Sequence, residues 1–311
     1  MTGTSFPEVV VVGAASIDIK GKARFGLVPA TSNPGEIKIS AGGVARNVAE
    51  NLARLGVPTA LLTAVGDDAF GRQIVEHTAA HGVDMSHVLF SRDFRSAAYL
   101  AVLNEAGSMA VSIDDMQVAQ AITPRYISQH RDLIKHARMM VLDANLPVPT
   151  LTVILKVARK ANVPVCIDPV SIALSARVKR RLREYSIITP NASEAEILCG
   201  MRVQSVPEAT LAAQKLVACG LKIVIITLAE EGLFYATPNG SGHIPAIKCE
   251  VVDATGAGDA LTAGVVYGLV NGLPVDEAMR LGVSAATITL LSTETVSPEM
   301  SLEALYQRMV I

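Results

Sequence analysis

The sequence predicts an α/β fold: a doubly wound, mostly parallel sheet with helices on both faces and a small β-lid. Three observations carry this prediction. Short runs rich in Val, Ile and Leu, bounded by Gly, Pro, Asp or Asn, read as strands buried on both faces. They alternate with longer segments of helical period, and a βαβα rhythm implies parallel strands joined by crossover helices. Two stretches, 15–40 and 88–113, break the rhythm with extended residues among Gly, Pro and Ser.

The elements follow in order. Val9–Val12 is an unbroken run of β-branched residues and is the first expected strand. The next segment, 44–55, is a helix, because Val44, Val48, Leu52 and Leu55 fall on one face. Strands are expected at 60–65, 139–142, 165–167, 187–189 and 223–227. Helices are expected at 70–82, 150–161, 192–199 and 207–219. After residue 257 the chain turns helical, at 257–271, 275–291 and 302–309. The stretches 97–103 and 109–113 flank Asn104-Glu105-Ala106-Gly107 and read as a hairpin. With 15–40 they form short antiparallel strands, a lid inserted at one edge. With no internal repeat or low-complexity linker in sight, residues 1–311 are expected to form one α/β domain carrying lid insertions at about 15–40 and 88–113.

Composition narrows the function. Across 311 residues, 50% are hydrophobic and 18% charged, which forces collapse and excludes disorder. Lys and Arg total 27 against 29 acids, a net charge of −2, so there is no broad footprint for nucleic acid or an anionic membrane. The basic run at 179–183 reads as a solvated helix face. Cys166, Cys199, Cys219 and Cys249 lie far apart without a CxxC pair and read as reduced thiols. No secretion signal precedes Val9, and no run approaches the ~20 apolar residues of a membrane span. A cytoplasmic protein is expected.

Common phosphate-binding signatures are missing. GxxxxGK[ST] does not occur, and the first strand ends Gly13-Ala14-Ala15-Ser16-Ile17-Asp18, which is not GxGxxG. Three other segments offer the chemistry. In Asp253-Ala254-Thr255-Gly256-Ala257-Gly258-Asp259, small residues at a helix start present successive N–H groups to an anion, with a carboxylate in the same turn. Phosphoryl transfer needs that pairing of charge-stabilising donors and a base. A Gly-rich turn capped by Asp would look the same. In Gly42-Gly43-Val44-Ala45-Arg46-Asn47, two glycines before a helix allow close backbone approach, and Asn47 can aim an amide at the same point. A plain loop-to-helix turn is the alternative. In Thr189-Pro190-Asn191-Ala192-Ser193-Glu194, Asn191 caps a helix at a strand's carboxyl end, and Glu194 either holds Mg²⁺ through water or complements the helix dipole.

In this order and spacing the three segments resemble the signatures of the ribokinase-like (PfkB-type) carbohydrate and nucleoside kinases, over about residues 9–291. The resemblance implies the ribokinase-like fold and transfer of the ATP γ-phosphoryl group to a sugar hydroxyl. It makes Asp259 the base and the amides of Gly256, Ala257 and Gly258 the anion hole. Asn191, Thr227, Ala229, Gly232 and Gly258 would lie along ATP, with Glu194 on Mg²⁺ through water. Asp18, Gly42, Gly43 and Asn47 would hold the sugar hydroxyls. Asp253 would belong to a monovalent-cation loop, for K⁺, completed by carbonyls near Ser292. Relatives commonly bury the lid edges against a second subunit, so a homodimer is expected. Three positions depart from the pattern: Ser16 for Asn, which shortens or loses a ribose contact; Ala229 for Gly, which restricts a positive φ; and Ala254 for Thr.

A narrower resemblance, to the branch that phosphorylates the 5′-hydroxyl of pseudouridine, rests on Ser32-Asn33-Pro34-Gly35, Gly43-Val44-Ala45-Arg46-Asn47, Asp115-Met116 and Asp168-Pro169-Val170-Ser171. Asp115 is then the candidate acceptor for a base N–H, with a solvated loop acid as the alternative. Another nucleoside, ribose or a sugar phosphate is the competing acceptor; a sugar phosphate needs a cationic pocket, for which Arg46 and Arg24 are the nearby candidates. A non-catalytic ligand-binding protein on the same fold is the reading from another class. His77 and His81, four apart on a helix, lack the HExxH glutamate and an evident third ligand, and read as surface histidines.

Overall fold

The computed structural model of the chain describes residues 6–309. Strands are numbered along the chain. The apolar runs become the parallel part of an eight-stranded sheet: β1 (Val9–Val12), β4 (Thr59–Leu62), β9 (Met139–Asp143), β10 (Val165–Asp168), β11 (Ile187–Ile188) and β12 (Ile223–Thr227). They lie side by side in the order β12-β11-β10-β9-β1-β4. Each valine of β1 is fully buried, Val10 and Val12 in one apolar cluster and Val9 and Val11 in the other. The sheet is therefore covered on both faces. Helices Val148–Ala161, Ala192–Cys199 and Val206–Ala218 pack on the first, and Val44–Arg54, Ala257–Val270 and Val275–Leu290 on the second.

Several elements go beyond the sequence reading. Strands β13 (Leu233–Thr237) and β14 (Gly240–Ile244) extend the sheet past β12 as an antiparallel hairpin. The expected 60–65 strand divides at Thr63, whose hydroxyl donates to Gly13 O at 2.7 Å. Its second half, β5 (Ala64–Gly66), pairs with β6 (Leu89–Ser91) in a separate two-stranded ladder. Short helices form at Pro124–Gln129, Arg131–His136 and Ile172–Lys179. The first and third are capped by Thr123 and Ser171, whose hydroxyls accept from Tyr126 N and Leu174 N.

The lid is a four-stranded sheet, in the order β3 (Gly35–Gly42), β2 (Ser16–Ala23), β7 (Ala97–Leu103) and β8 (Met109–Asp115). The expectation of an all-antiparallel lid is corrected at its centre, where β2 and β7 run parallel. The register gives the lid two unlike faces. Ile39, Ile19, Leu100 and Ile113 form one cross-strand row, and Ile37, Gly21, Val102 and Val111 the next. Ile37, Ile39, Leu100, Val111 and Ile113 are exposed on this apolar face. Asp18 and Lys20 alternate onto the other face. Among the described residues, no helix is long and apolar enough to cross a membrane.

Candidate active site

Helix Ala257–Val270 is largely apolar, and Asp259, its one charged residue, lies in the first turn and is 8% exposed. Its N-cap, Gly256, has φ 84°, and a Cβ there would lie 2.0 Å from Thr295 O. Only glycine fits both the backbone angle and the space. Gly256 supplies no side-chain acceptor, and the nearest backbone bond, Ala257 N to Ala254 O, is stretched to 3.4 Å. The first-turn N–H of Gly258 is thus open to an anion, and that of Ala257 is held only by this long bond.

Asp259 is brought to the other half of the chain by Asn47, whose Nδ2 donates to Asp259 Oδ2 at 2.7 Å. Asn47 stands in the first turn of Val44–Arg54, which starts at Gly43 with φ 94°. Burial raises the Asp259 carboxyl to about 7, against the opposing pull of the Asn47 hydrogen bond and the Arg46 charge. That places it near neutrality, where a general base works best.

The remaining residues expected to hold the sugar converge on the same region. A Cβ on Gly42 would meet Asp18 Oδ1 at 2.1 Å, so the glycine lets the Asp18 carboxylate lie against the backbone. Asp18 is buried and accepts from Ser16 Oγ at 3.1 Å; burial raises it, and that hydrogen bond and Arg46 partly offset the rise. Ser16 is therefore occupied in positioning Asp18. Arg46 is buried and in contact with Glu50, Asn47 and Thr295, so it is not open to a substrate phosphate, and Arg24 is exposed.

A cavity of about 1160 Å³ is lined by Asn191, Thr227, Ala229, Gly232, Ala257 and Gly258. It brings together the five expected ATP residues, and an isolated bridge pairs Asn191 with Thr227. Asn191 and Glu194 form a capping box: Glu194 N donates to Asn191 Oδ1 at 2.9 Å and Asn191 N to Glu194 Oε2 at 3.0 Å. The cap engages Oε2 of Glu194. Ala229 takes φ 49° in spite of its Cβ, so the substitution does not abolish the turn geometry expected of glycine there. It carries a left-handed strain of roughly 1–2 kcal/mol instead.

Two sequence expectations are corrected. Asp115 shares its row with Ala98 and Ile17, on the apolar face of the lid; its Oδ1 accepts from Gln117 N at 3.1 Å. The two-residue period puts Asp114 and Tyr99 on the face of Asp18 instead. Asp253 is held by the lid rather than left open to an ion. Lys20 Nζ lies 2.6 Å from Asp253 Oδ2 and 2.7 Å from Thr255 Oγ1. Burial alone would raise Asp253, but Lys20 and the Thr255 amide hold it below its ordinary value.

Sequence reasoning missed several residues here. Asp143 and Asp168 end β9 and β10 at the sheet edge beside Asp259, where burial raises both; Asp259 and Glu194 push Asp168 higher still. The signal was present, since an Asp closing an apolar strand lies at the carboxyl edge of a parallel sheet. Glu50 is the third group near His77 and His81, all three with ligand atoms within 4.8 Å of one another. Its two carboxylate oxygens already accept from Arg46 Nη1 at 2.5 Å and Arg54 Nε at 2.9 Å. A dication beside two guanidinium groups would be repelled, so Glu50 serves an ion-pair network with Arg46 and Arg54.

Comparison with known proteins gives a consistent picture. A family model for the pfkB family carbohydrate kinases matches residues 7–301. A pseudouridine kinase of Escherichia coli (strain K12) is 37% identical over 295 residues, 94% of this chain and 94% of that protein. A crystal structure of a putative sugar kinase from Clostridium perfringens superposes with a TM-score of 0.85 at 33% identity, covering 97% of this chain and 95% of that one. The Arabidopsis thaliana ribokinase complexed with ribose and ATP shares the fold, with a TM-score of 0.86 at 23% identity over 99% of this chain and 100% of that one.

The buried carboxyl has a measurable effect on stability. Asp259 moves from 3.8 to about 7 on folding. Between those values the unfolded chain releases a proton that the folded chain keeps, so rising pH costs stability at roughly 1.4 kcal/mol per unit. The cost is absent below about pH 4 and complete above about pH 7. Asp259→Asn removes it, so denaturant titrations should show the variant gaining on the wild type as pH rises through this window. A constant difference at both ends would show that Asp259 ionises normally.

Proposed function

The chain belongs to the pfkB family of carbohydrate kinases, and on that premise we propose that it transfers the γ-phosphoryl group of ATP to the 5′-hydroxyl of pseudouridine. The observation that carries the phosphotransfer is Asp259, a buried carboxyl near neutrality at the open start of a helix beside the 1160 Å³ cavity. The 5′-oxygen forms its bond to the γ-phosphorus as the bond to the β–γ bridging oxygen breaks, giving pseudouridine 5′-phosphate and ADP. Asp259 accepts the hydroxyl proton, and the amides of Gly256, Ala257 and Gly258 stabilise charge on the moving group. Asp18, Gly42, Gly43 and Asn47 orient the ribose, with Ser16 behind Asp18. Asn191, Thr227, Ala229 and Gly232 hold the nucleotide.

Glu194 is a buried carboxylate with Oε2 taken by the cap, a hard oxygen donor of the kind a divalent cation takes. Glu194 would hold Mg²⁺ through water, and the ion supplies neutralising charge on the ATP phosphates. A K⁺ ion at Asp253 would share that carboxylate with the Lys20 ammonium, so no step is assigned to it. A cytoplasmic setting suits the ATP requirement.

A second acceptor reading, ribose or another nucleoside, is favoured by the turning of Asp115 away from Asp18, which removes the base contact expected from sequence. A coupled ADP-release assay over pseudouridine, other nucleosides and ribose decides between them. Pseudouridine should be preferred by kcat/KM, and equal rates on ribose would defeat that assignment. With the preferred acceptor, Asp259→Asn should lower kcat by roughly 10²–10⁴-fold while ATP affinity changes little. Retained turnover would remove Asp259 from the mechanism.

We also infer a homodimer through the lid, because Ile37, Ile39, Leu100, Val111 and Ile113 form an exposed apolar face on one side of it. Light scattering should give a dimer for the wild type and a monomer for Val111→Lys/Ile113→Lys. A wild-type monomer at micromolar concentration would contradict this.

A further inference from the structure

Asp259 is held by a primary amide, and an amide has two faces of nearly equal shape. The NH₂ side of Asn47 suits a carboxylate, whereas its carbonyl side would repel one. Arg46 resolves this ambiguity. Its guanidinium donates to Asn47 Oδ1, so the NH₂ group is left for Asp259. The same guanidinium donates to Gly42 O and Ala41 O at 3.1 Å each and to Thr295 Oγ1 at 3.3 Å. Glu50 closes the set by accepting from Arg46 Nη1 at 2.5 Å. Both ionic side chains are 1% exposed, so the fork cannot swing out to solvent.

This network touches each wall of the site. Ala41 and Gly42 end a lid strand, Asn47 starts the sugar-side helix, and Thr295 crowds Gly256 at the anion turn through its carbonyl. We propose that Arg46, locked by Glu50, is a positioning residue that fixes the Asn47 amide with its NH₂ toward Asp259 and so presents the base to the acceptor hydroxyl. The inference rests on the reading of Asp259 as that base. Arg46 itself does not touch Asp259; it acts through the amide and through its charge.

The charge gives a readout that a merely structural role would not. Asp259 is faced by Arg46 and Asn47 from the helix, Asp18 from the lid and Asp143 from β9, and it acts in turn on Asp168 of β10. Without the Arg46 cation, burial and the neighbouring Asp143 and Asp18 hold Asp259 protonated to higher pH. The test is the pH dependence of kcat and of KM for ATP, by ADP release with ATP and pseudouridine, or with ribose if the acceptor panel favours it. The variants are Arg46→Met/Glu50→Gln, which avoids a lone buried charge, and Arg46→Lys, which keeps the charge but loses the planar fork.

In the double variant the acid limb of kcat should move up by about one pH unit. At pH 7 kcat should fall about fivefold or more, KM for ATP should stay within about twofold, and alkaline pH should restore much of the rate. Arg46→Lys should lose kcat with a smaller limb shift. A folded double variant with the wild-type limb would overturn the proposal; if that variant does not fold, wild-type kcat in Arg46→Lys would do so. Asp259→Asn separates the two layers. Activity retained there removes the base itself, whereas an inactive Asp259→Asn alongside wild-type Arg46 variants defeats only the positioning role.

Discussion

The hydrogen bond from Asn47 to Asp259 is the constraint on which the rest of the site depends. It joins residues 212 positions apart, across two helices that pack against the same sheet face. A carboxyl at the start of an apolar helix is costly to ionise, because burial removes the water that would solvate its charge. One amide donor and a nearby guanidinium offset part of that cost. The balance leaves Asp259 near neutrality, able to take a proton and to give it up.

The sheet explains why so many acids meet there. In a parallel sheet every strand delivers its carboxyl end to the same edge. β1 delivers Gly13 and Ala14, β9 Asp143, β10 Asp168, and β12 Thr227, with Asn191 following β11. Ala14 N donates to Asp143 Oδ2 at 2.7 Å, tying the first of these edges to the second. The lid rises from β1 and returns through Gly42 and Gly43 into the sugar-side helix, so its polar face stands over the same edge. Lys20 fastens that face to the phosphate side at Asp253 and Thr255. One wall of the site is thus tied to the other by a largely buried ion pair.

Much of this was legible in the sequence. Unbroken β-branched runs and helix-period segments carry strong local signals, and the β1, β9 and β12 strands and the long helices lie where they were expected. The β13–β14 hairpin was not, because Leu233, Phe234, Tyr235 and Ala236 are all buried and show no alternation. Its Pro238-Asn239 turn, followed by Gly240, was the available clue. The short 124–129 and 131–136 helices have too few turns to display a period. At the site, glycine-rich segments announced themselves because close backbone approach demands glycine. Roles that depend on long-range packing did not. Nothing local tells which of Asp114 and Asp115 faces inward, since one residue of register decides it. Likewise Arg46, Glu50 and Lys20 look like ordinary surface charges until the fold buries or pairs them.

The central claim is spatial: the phosphoryl group crosses at the Gly256–Gly258 turn, with Asp259 on the acceptor side. A crystal structure with a non-hydrolysable ATP analogue, Mg²⁺ and the preferred acceptor tests it most directly. The account predicts the terminal phosphate on the Ala257 and Gly258 amides and the acceptor hydroxyl within hydrogen-bond reach of Asp259. A terminal phosphate bound elsewhere in the cavity, with no acceptor oxygen near Asp259, would contradict it.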